Sequence, residues 1–461
     1  MSLVFRRFRV LVLAAWPTAA IFSCRANPGT QPSDIDASTA VGQTGASPGG
    51  LAGTNGASVG TGVAGQSGGG AGPSGPGAAA SGSTGSGIAG ARGSRTAGSA
   101  AIGGRGAAGA GQTAGSRAGT SGASGSGVAA GTGSGNAGGT SGTTDPTGGP
   151  CDLYAGGNTP CVAAHSTVRA LYAAYDGNLY QVRRASDNTT KDIGVLSPGG
   201  LANAATQEAF CSGSTCTISI IYDQSPKHNH LSKAPAGGAK QTPDNEASAT
   251  GLKLTVGGHA VYAVFINAGM GYRNDRTSGI ATGDQPEGEY MVTSGKHFNT
   301  GCCFDYGNAE TSNNDDGNGT MEAIYFGNST NWGKGAGTGP WVMADLENGL
   351  FAGQSVNRND NNTPLTSDYV TAMIKGRMGH FAIRGGNAQS GPLKTMYDGG
   401  RPTTAGYNPM KKQGAIILGI GGDNSNSAVG TFFEGAITSG YPTDAIDDAV
   451  QANISAVGYG K

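Results

Sequence analysis

The chain changes character at one point, and that break limits what can fold. From Arg25 to Pro150 there is no aromatic residue and no large aliphatic cluster, only a tract dominated by Gly, Ser, Ala and Thr. Such a stretch cannot offset the entropy of ordering itself. Residues 25–149 are therefore expected to be a disordered low-complexity linker, a tether or wall-spanning spacer, with Gly-rich self-association as the alternative role. The irregular glycine spacing excludes a collagen repeat. Many of the 86 glycines among the 461 residues fall before Cys151, so total length overstates the number of domains. One folded unit is expected over 150–461, long enough for a large single core.

Residues 1–24 read as an export signal or lipoprotein signal. Arg6, Arg7 and Arg9 form a basic start, Val10 to Phe22 a short apolar core, and Ser23-Cys24 follow. The core is too short for a comfortable membrane anchor. Cys24 resembles the lipid-bearing cysteine of bacterial lipoproteins, although Ile21-Phe22-Ser23 is an imperfect approach to such a site. Membrane attachment is expected only through a lipidated Cys24; otherwise the protein is secreted. The 30 acidic and 29 basic side chains leave a formal charge of -1, which gives no reason to expect nucleic acid as a partner. A monomer is expected.

Six of the seven cysteines lie after residue 150: Cys151, Cys161, Cys211, Cys216, Cys302 and Cys303. An even number in an exported domain suggests three disulfides. Sequence order proposes Cys151 with Cys161, Cys211 with Cys216 and Cys302 with Cys303, but spacing does not fix connectivity. The spacing does not suit zinc, and no metal or other cofactor is expected.

Beyond residue 150 the pattern is of short strands between Gly, Asn and Asp turns. Val168–Tyr175 and Asn178–Arg183 around Asp176-Gly177 predict a hairpin. Further strands are predicted at 217–222, 260–265, 321–326, 369–374, 381–384 and 431–437. Helical period is sustained only at the end, where Pro442-Thr443 precede Ile446, Val450 and Ile454. Parallel β-α-β units would need repeated crossover helices, so an all-β antiparallel sandwich with a short C-terminal helix is expected.

Two apolar runs stand out. In Gly339–Leu350, Trp341, Met343 and Asp345 share one face of a strand, Val342, Ala344 and Leu346 the other, and Glu347 follows before the turn pair Asn348-Gly349. In Ala415–Asn426, Ile416 to Ile420 is apolar enough for a buried strand, after which Gly421-Gly422 let the backbone pass close to whatever Asp423 faces. Two carboxylates at strand ends are the minimum equipment of a glycosidase, one as nucleophile or base and one as proton donor, although acids beside Gly or Asn also make ordinary solvated turns.

Weaker signals are His228 and His230, which lack an evident third metal ligand, and the oxygen-rich loop Asn313, Asn314, Asp315, Asp316 and Asn318, which is out of EF-hand register and reads as a solvated loop or a weak calcium site. Asn188, Asn318 and Asn328 begin glycosylation triplets. Trp332, between Asn331 and Gly333, offers an indole platform for a sugar face or a turn-packing group. Beyond residue 150 there is no Rossmann or Walker pattern and no Gly-x-Ser-x-Gly nucleophile elbow.

Five segments carry a resemblance: PCDLYAGGNTPCVAAHSTVRALY (150–172), IIYDQSPKHNHL (220–231), GCCFDYGNAETS (301–312), WVMADLENGLF (341–351) and GAIILGIGGDNSN (414–426). In order and content they resemble the catalytic domain of family 54 glycoside hydrolases, α-L-arabinofuranosidases best known from fungi. The resemblance implies a concanavalin- or lectin-like β-sandwich that releases terminal α-L-arabinofuranosyl residues with retention, from arabinan, arabinoxylan or derived oligosaccharides. It assigns Glu347 as nucleophile and Asp423 as general acid/base, with Asp345, Asn348, Gly422, Met321, Trp332 and the Cys302-Cys303 disulfide at the sugar pocket. It also implies the disulfides Cys151-Cys161 and Cys211-Cys216. Retention needs carboxyl groups roughly 5 to 5.5 Å apart.

Two features depart from the family. Its members commonly carry a C-terminal arabinose-binding trefoil domain, whereas this chain stops at Lys461, so weaker attachment to polymeric arabinoxylan is expected. The Gly/Ser/Ala tether is foreign to the fungal enzymes and points to a bacterial surface or secretion. The competing functional reading is a carbohydrate-binding sandwich without catalysis, which needs the pocket but neither carboxylate.

Overall fold

A computed structural model of the chain describes residues 148–461. The expected signal over 1–24, Cys24 and the linker, apart from its last two residues, lie outside the described residues. Pro150–Gly156 forms a short helix whose first turn is closed by Gly149 N donating to Asp152 Oδ2 at 2.8 Å. Cys151 in this helix is bonded to Cys161, the first residue of the next strand, and Cys211 at the end of the helix Ala204–Cys211 is bonded to Cys216, which opens another. Each bridge thus pins a helix to its neighbouring strand.

The rest is largely antiparallel sheet. Eight strands form one sheet: Lys394–Gly400, His380–Asn387, Val370–Arg377, Glu287–Thr293, Gly430–Ser439, His259–Ile266 and Leu252–Val256 in spatial order, with Cys161–Ser166 also paired to Gly430–Ser439. Ten form the other, in the order Leu350–Phe351, Trp341–Asp345, Glu322–Gly327, Asp305–Ala309, Ala415–Leu418, Tyr272–Asn274, Leu231–Lys233, Cys216–Ile221, Asn178–Arg184 and Thr190–Gly194.

Period-two alternation gives the ten-stranded sheet two distinct faces. Ile324, Phe326, Val342, Ala344, Ile416 and Leu418 join Tyr290, Val292, Ala372 and Phe381 of the eight-stranded sheet in one buried cluster. Their strand neighbours Ala323, Tyr325, Trp341, Met343, Ala415 and Ile417 enter two smaller clusters instead. A buried ion cluster links the sheets as well: Lys412 Nζ lies 2.7 Å from Glu287 and 2.8 Å from Glu322, and Arg401 Nη2 lies 3.0 Å from Glu322.

The predicted hairpin at 168–183 is corrected. Only Asn178–Arg184 is a strand, and its turn partner is Thr190–Gly194. Val168 to Tyr175 runs as irregular chain, buried as far as Leu171 and exposed at Ala173 and Ala174, because its polar groups are satisfied elsewhere: Leu171 N donates to Gln224 Oε1 at 2.7 Å and Ala170 N to Gly200 O at 2.9 Å. The terminal helix runs Asp444–Val457, with the Thr443 hydroxyl accepting from Ile446 N and Gly458 closing it at φ 84°. Val450 and Ile454 are fully buried, and Asp447 is held by Lys375 Nζ at 2.7 Å.

Candidate active site

The strand Trp341–Asp345 turns back through Leu346–Gly349 into Leu350–Phe351, pairing Asp345 with Leu350. Within that turn Glu347 and Asn348 both take left-handed conformations, at φ 64° and 57°. For a non-glycine residue this costs about 1 to 2 kcal/mol, and it aims the Glu347 side chain away from the strand's own alternation. Two hydrogen bonds hold the turn: Glu347 N donates to Asp345 Oδ1 at 3.1 Å, and Tyr407 Oη donates to Glu347 O at 2.7 Å. Asn348 Nδ2 donates to Asp315 Oδ1 at 3.1 Å.

Asp423 arrives by a less direct route. Ala415 lies opposite Ala309 and Leu418 opposite Tyr306, so this strand ends near the start of Asp305–Ala309. Yet Gly422 rests against Glu310, just past the far end of that strand: a Cβ on it would overlap Glu310 Oε2 and lie 3.1 Å from Met321 Sδ. The chain doubles back across the sheet, with Ile420 packed among Ala309, Met321, Ala323 and Ile417. Asp423 is therefore not at a strand rim, as the sequence suggests, but on a segment laid over the sheet face. Ser425 N donates to Asp423 Oδ1 at 3.0 Å.

The expected wall residues assemble beside these carboxyls. Cys302 and Cys303 are bonded to each other and cluster with Trp341, Met343, Tyr325 and the half-buried Trp332. Cys303 Sγ is 3.5 Å from Asp345 Oδ2, and Cys302 Sγ is 3.7 Å from Ser425 Oγ, so the bridge touches the segments bearing both carboxylates. Gly333 holds Trp332 in place at φ 156°, where any side chain would collide with Leu350 O. Met321 is fully buried behind Gly422. A cleft of about 740 Å³ opens alongside, lined in part by Asp315, Asn348, Phe351, Val356, Thr404 and Tyr407.

Electrostatically the site is crowded with acids. Glu347 is 3% exposed; burial, then Glu310, Asp345, Asp315 and Asp423, raise its pKa well above the usual carboxyl range. Burial also raises Asp423, against the opposing hydrogen bonds from Ser425. Asp345 is pushed up to about 7 by burial, opposed by a hydrogen bond from Asp305, which burial and the neighbouring Asp345 raise much further. Neither oxygen of Asp305 accepts from a protein N–H or O–H, so it sits as a second buried acid beside Asp345.

Glu310, Asp305, Arg273 and Tyr407 were not singled out by sequence reasoning. Glu310 carried a usable signal: it follows the strand Asp305–Ala309 and precedes Thr311-Ser312, the same strand-then-acid pattern as Asp345 to Glu347. Arg273 carried none, since a lone Arg in a short strand is ordinarily exposed. Of the weaker candidates, the histidine pair stands apart from the site, whereas the oxygen-rich loop brings Asp315 to Asn348 and Asn318 to the cleft. His230 Nδ1 accepts from Asp223 N at 2.9 Å and His228 stacks edge-on to it, which engages the pair within its own loop. Asp316 Oδ2 accepts from Ser312 Oγ and Gln413 Nε2, both at 2.8 Å, so that loop directs this carboxylate to the protein.

The family model described as "Alpha-L-arabinofuranosidase B, catalytic" matches residues 150–460. A probable alpha-L-arabinofuranosidase B of Aspergillus fumigatus is 60% identical over 315 residues, covering 68% of this chain and 62% of the relative. An alpha-L-arabinofuranosidase of Hypocrea jecorina is also 60% identical over 315 residues, covering 68% and 63%. Among solved structures, a family 54 arabinofuranosidase soaked with a cyclic sulfate inhibitor aligns with a TM-score of 0.67 at 56% identity, covering 68% of this chain and 66% of that one. An arabinofuranosidase complexed with arabinofuranosyl-α-1,2-xylobiose aligns with the same score at 55% identity and the same coverage. The chain spans less than two thirds of the length of these relatives.

Proposed function

The chain belongs to the α-L-arabinofuranosidase B catalytic-domain family, and from that premise we propose that it is a retaining α-L-arabinofuranosidase. Its substrates are terminal non-reducing α-L-arabinofuranosyl residues of arabinan, arabinoxylan or the oligosaccharides derived from them. The observation that carries the reading is the burial of Glu347 and Asp423 in one carboxyl cluster beside the wall of Trp332 and Cys302-Cys303.

Glu347 attacks the anomeric carbon while Asp423 protonates the departing oxygen, giving a covalent arabinosyl-enzyme. Asp423, now ionised, takes a proton from the water that releases the sugar. Its raised pKa suits the acid role in the first step. Asp345 and Asn348 hold ring hydroxyls, and Asn348 Oδ1 is a buried acceptor with no protein donor. Trp332 and the disulfide supply an apolar wall, Gly422 admits the sugar closely, and Met321 backs it. The adjoining cleft takes the remainder of the glycan.

The two antiparallel sheets sharing one core support a lectin-like sandwich. For the whole chain the reading is an export signal over 1–24, a tether over 25–149 and a catalytic domain over 150–461, working as a secreted or surface-attached monomer, with lipidation at Cys24 as the attachment. Three disulfides in the described residues support an oxidising compartment. The deciding experiment is release of phenolate from an aryl α-L-arabinofuranoside by the full chain, with Glu347→Gln beside it. Hydrolysis by the wild type and none by the folded variant is expected; wild-type rates in the variant remove the nucleophile assignment, and an inert wild type favours a binding module.

A further inference from the structure

Glu310 has no part in the two steps just described, yet it is fully buried against the group that performs the first. Thr320 Oγ1 lies 2.6 Å from its Oε1, and Arg273 Nη2 donates to its backbone carbonyl, so its position is fixed on one side. Its Oε2 meets no protein N–H or O–H, and neither does Glu347 Oε1. Gly319 N donates to Leu346 O at 2.8 Å next to the Thr320 that holds Glu310, which brings the two carboxyl groups face to face, close enough for Glu347 to donate to Glu310. Ionised carboxylates only accept, so this contact requires a proton on one of them.

We infer that Glu310 is a positioning residue for Glu347: the pair holds one proton between its oxygens, and Glu310 carries that proton while Glu347 attacks. Fully protonated, the pair has no nucleophile; fully ionised, it places two charges in a site that already contains Asp345, Asp315 and Asp423. Arg273 is the cation facing Glu310, and its guanidinium is committed to the carbonyls of Gly422 and Glu310 and to Asp275. Burial pushes Glu310 up to about 7, against the hydrogen bonds from Thr320 and Glu347, which favour its ionised form.

The step balances without a co-reactant. The proton passes from Glu347 to Glu310 Oε2 along their hydrogen bond. A Glu347 lone pair then forms the bond to the anomeric carbon as the leaving oxygen takes the Asp423 proton. In the second step water gives its proton to Asp423 and its oxygen to carbon, and Glu347 departs as a carboxylate that again accepts from Glu310. Gly422 is part of this device, because a side chain there would push Glu310 off Glu347.

The inference rests on the arabinofuranosidase reading, and the test separates the two. kcat/KM is followed against pH with an aryl α-L-arabinofuranoside whose phenolate leaves without protonation, using full-length wild type, Glu310→Gln and Glu310→Ala. The wild type is expected to lose activity on the alkaline side as the pair gives up its shared proton. Glu310→Gln, whose amide is a permanent donor, is expected to lack that limb and to stay within about tenfold of wild type at neutral pH; Glu310→Ala, which leaves Glu347 unsupported, is expected to fall by about a hundredfold. A merely structural role would not remove the limb. An active Glu310→Gln with the wild-type profile overturns the inference, whereas an inert wild type overturns the arabinofuranosidase reading instead. Should the Glu310 variants not fold, Asp423→Asn decides on the same substrate: an alkaline limb that survives loss of Asp423 supports the pair, and its disappearance overturns it.

Discussion

Arg273 Nη1 donates to the carbonyl of Gly422 at 2.6 Å, joining residues 149 positions apart. The same guanidinium reaches Glu310 O through Nη2 and Asp275 Oδ1 through Nε, so one buried side chain holds the Asp423 segment against the strand end that bears Glu310. Lysine has neither the planar fork nor the number of donors to repeat this. Arg273→Lys is expected to cost about 2 to 3 kcal/mol in denaturant unfolding and to lower kcat. A variant as stable and active as wild type would show that the clamp is dispensable.

Asp423→Asn removes a proton donor and a base but little volume. On natural glycosidic linkages its rate should fall about 10² to 10⁴-fold, the usual worth of positioned acid-base catalysis. With an activated phenolate the first step needs no acid, and the loss in kcat/KM should be much smaller. Equal losses on both substrate classes would count against the acid role.

The buried acids also set how stability varies with pH. Glu287, Glu310 and Asp345 are each raised to about 7, chiefly by burial. Between about pH 4 and 7 the unfolded chain has lost those protons while the folded chain keeps them. The folded state thus binds more protons, and stability falls as pH rises through that window. Glu322 has the opposite sign: despite burial, Arg401 and Lys412 hold it down to about 2, so its contribution is intact above about pH 4.5 and is lost only as pH falls toward 2. The melting temperature is expected to be several degrees higher at pH 5 than at pH 8. A melting temperature that rises over that range would contradict this proton inventory.

Trp332 is half-buried on the small cluster around Cys302-Cys303 and contributes little to the main core. Trp332→Ala should leave the melting temperature nearly unchanged and raise KM for an arabinofuranoside about tenfold, the equivalent of about 1.4 kcal/mol of lost contact. A fall in kcat at unchanged KM would place the indole elsewhere in the reaction.

Much of the strand inventory was legible because period-two alternation reports local burial. The two faces of Trp341–Asp345 were read correctly, with Val342 and Ala344 in the shared core and Trp341 and Met343 in the cluster of Cys302 and Cys303. The segment 168–175 was misread, since β-branched and aromatic content does not distinguish a strand from irregular chain whose polar groups find partners such as Gln224. The two short helices were missed because 7 and 8 residues carry too little periodicity, and each is pinned by a disulfide.

The two carboxylate-bearing motifs and the family, whose match begins at residue 150, are legible along the chain because they are properties of contiguous residues. The return of the chain across the sheet after Leu418, the place of Glu310 against Gly422 and beside Glu347, and the Arg273 clamp on Gly422 and Glu310 exist only in the folded chain. The proton inventory was decided there too. A carboxyl group's pKa depends on the burial and charges gathered around it in space, and Glu310, Glu347 and Asp423 meet only once the sheet has formed.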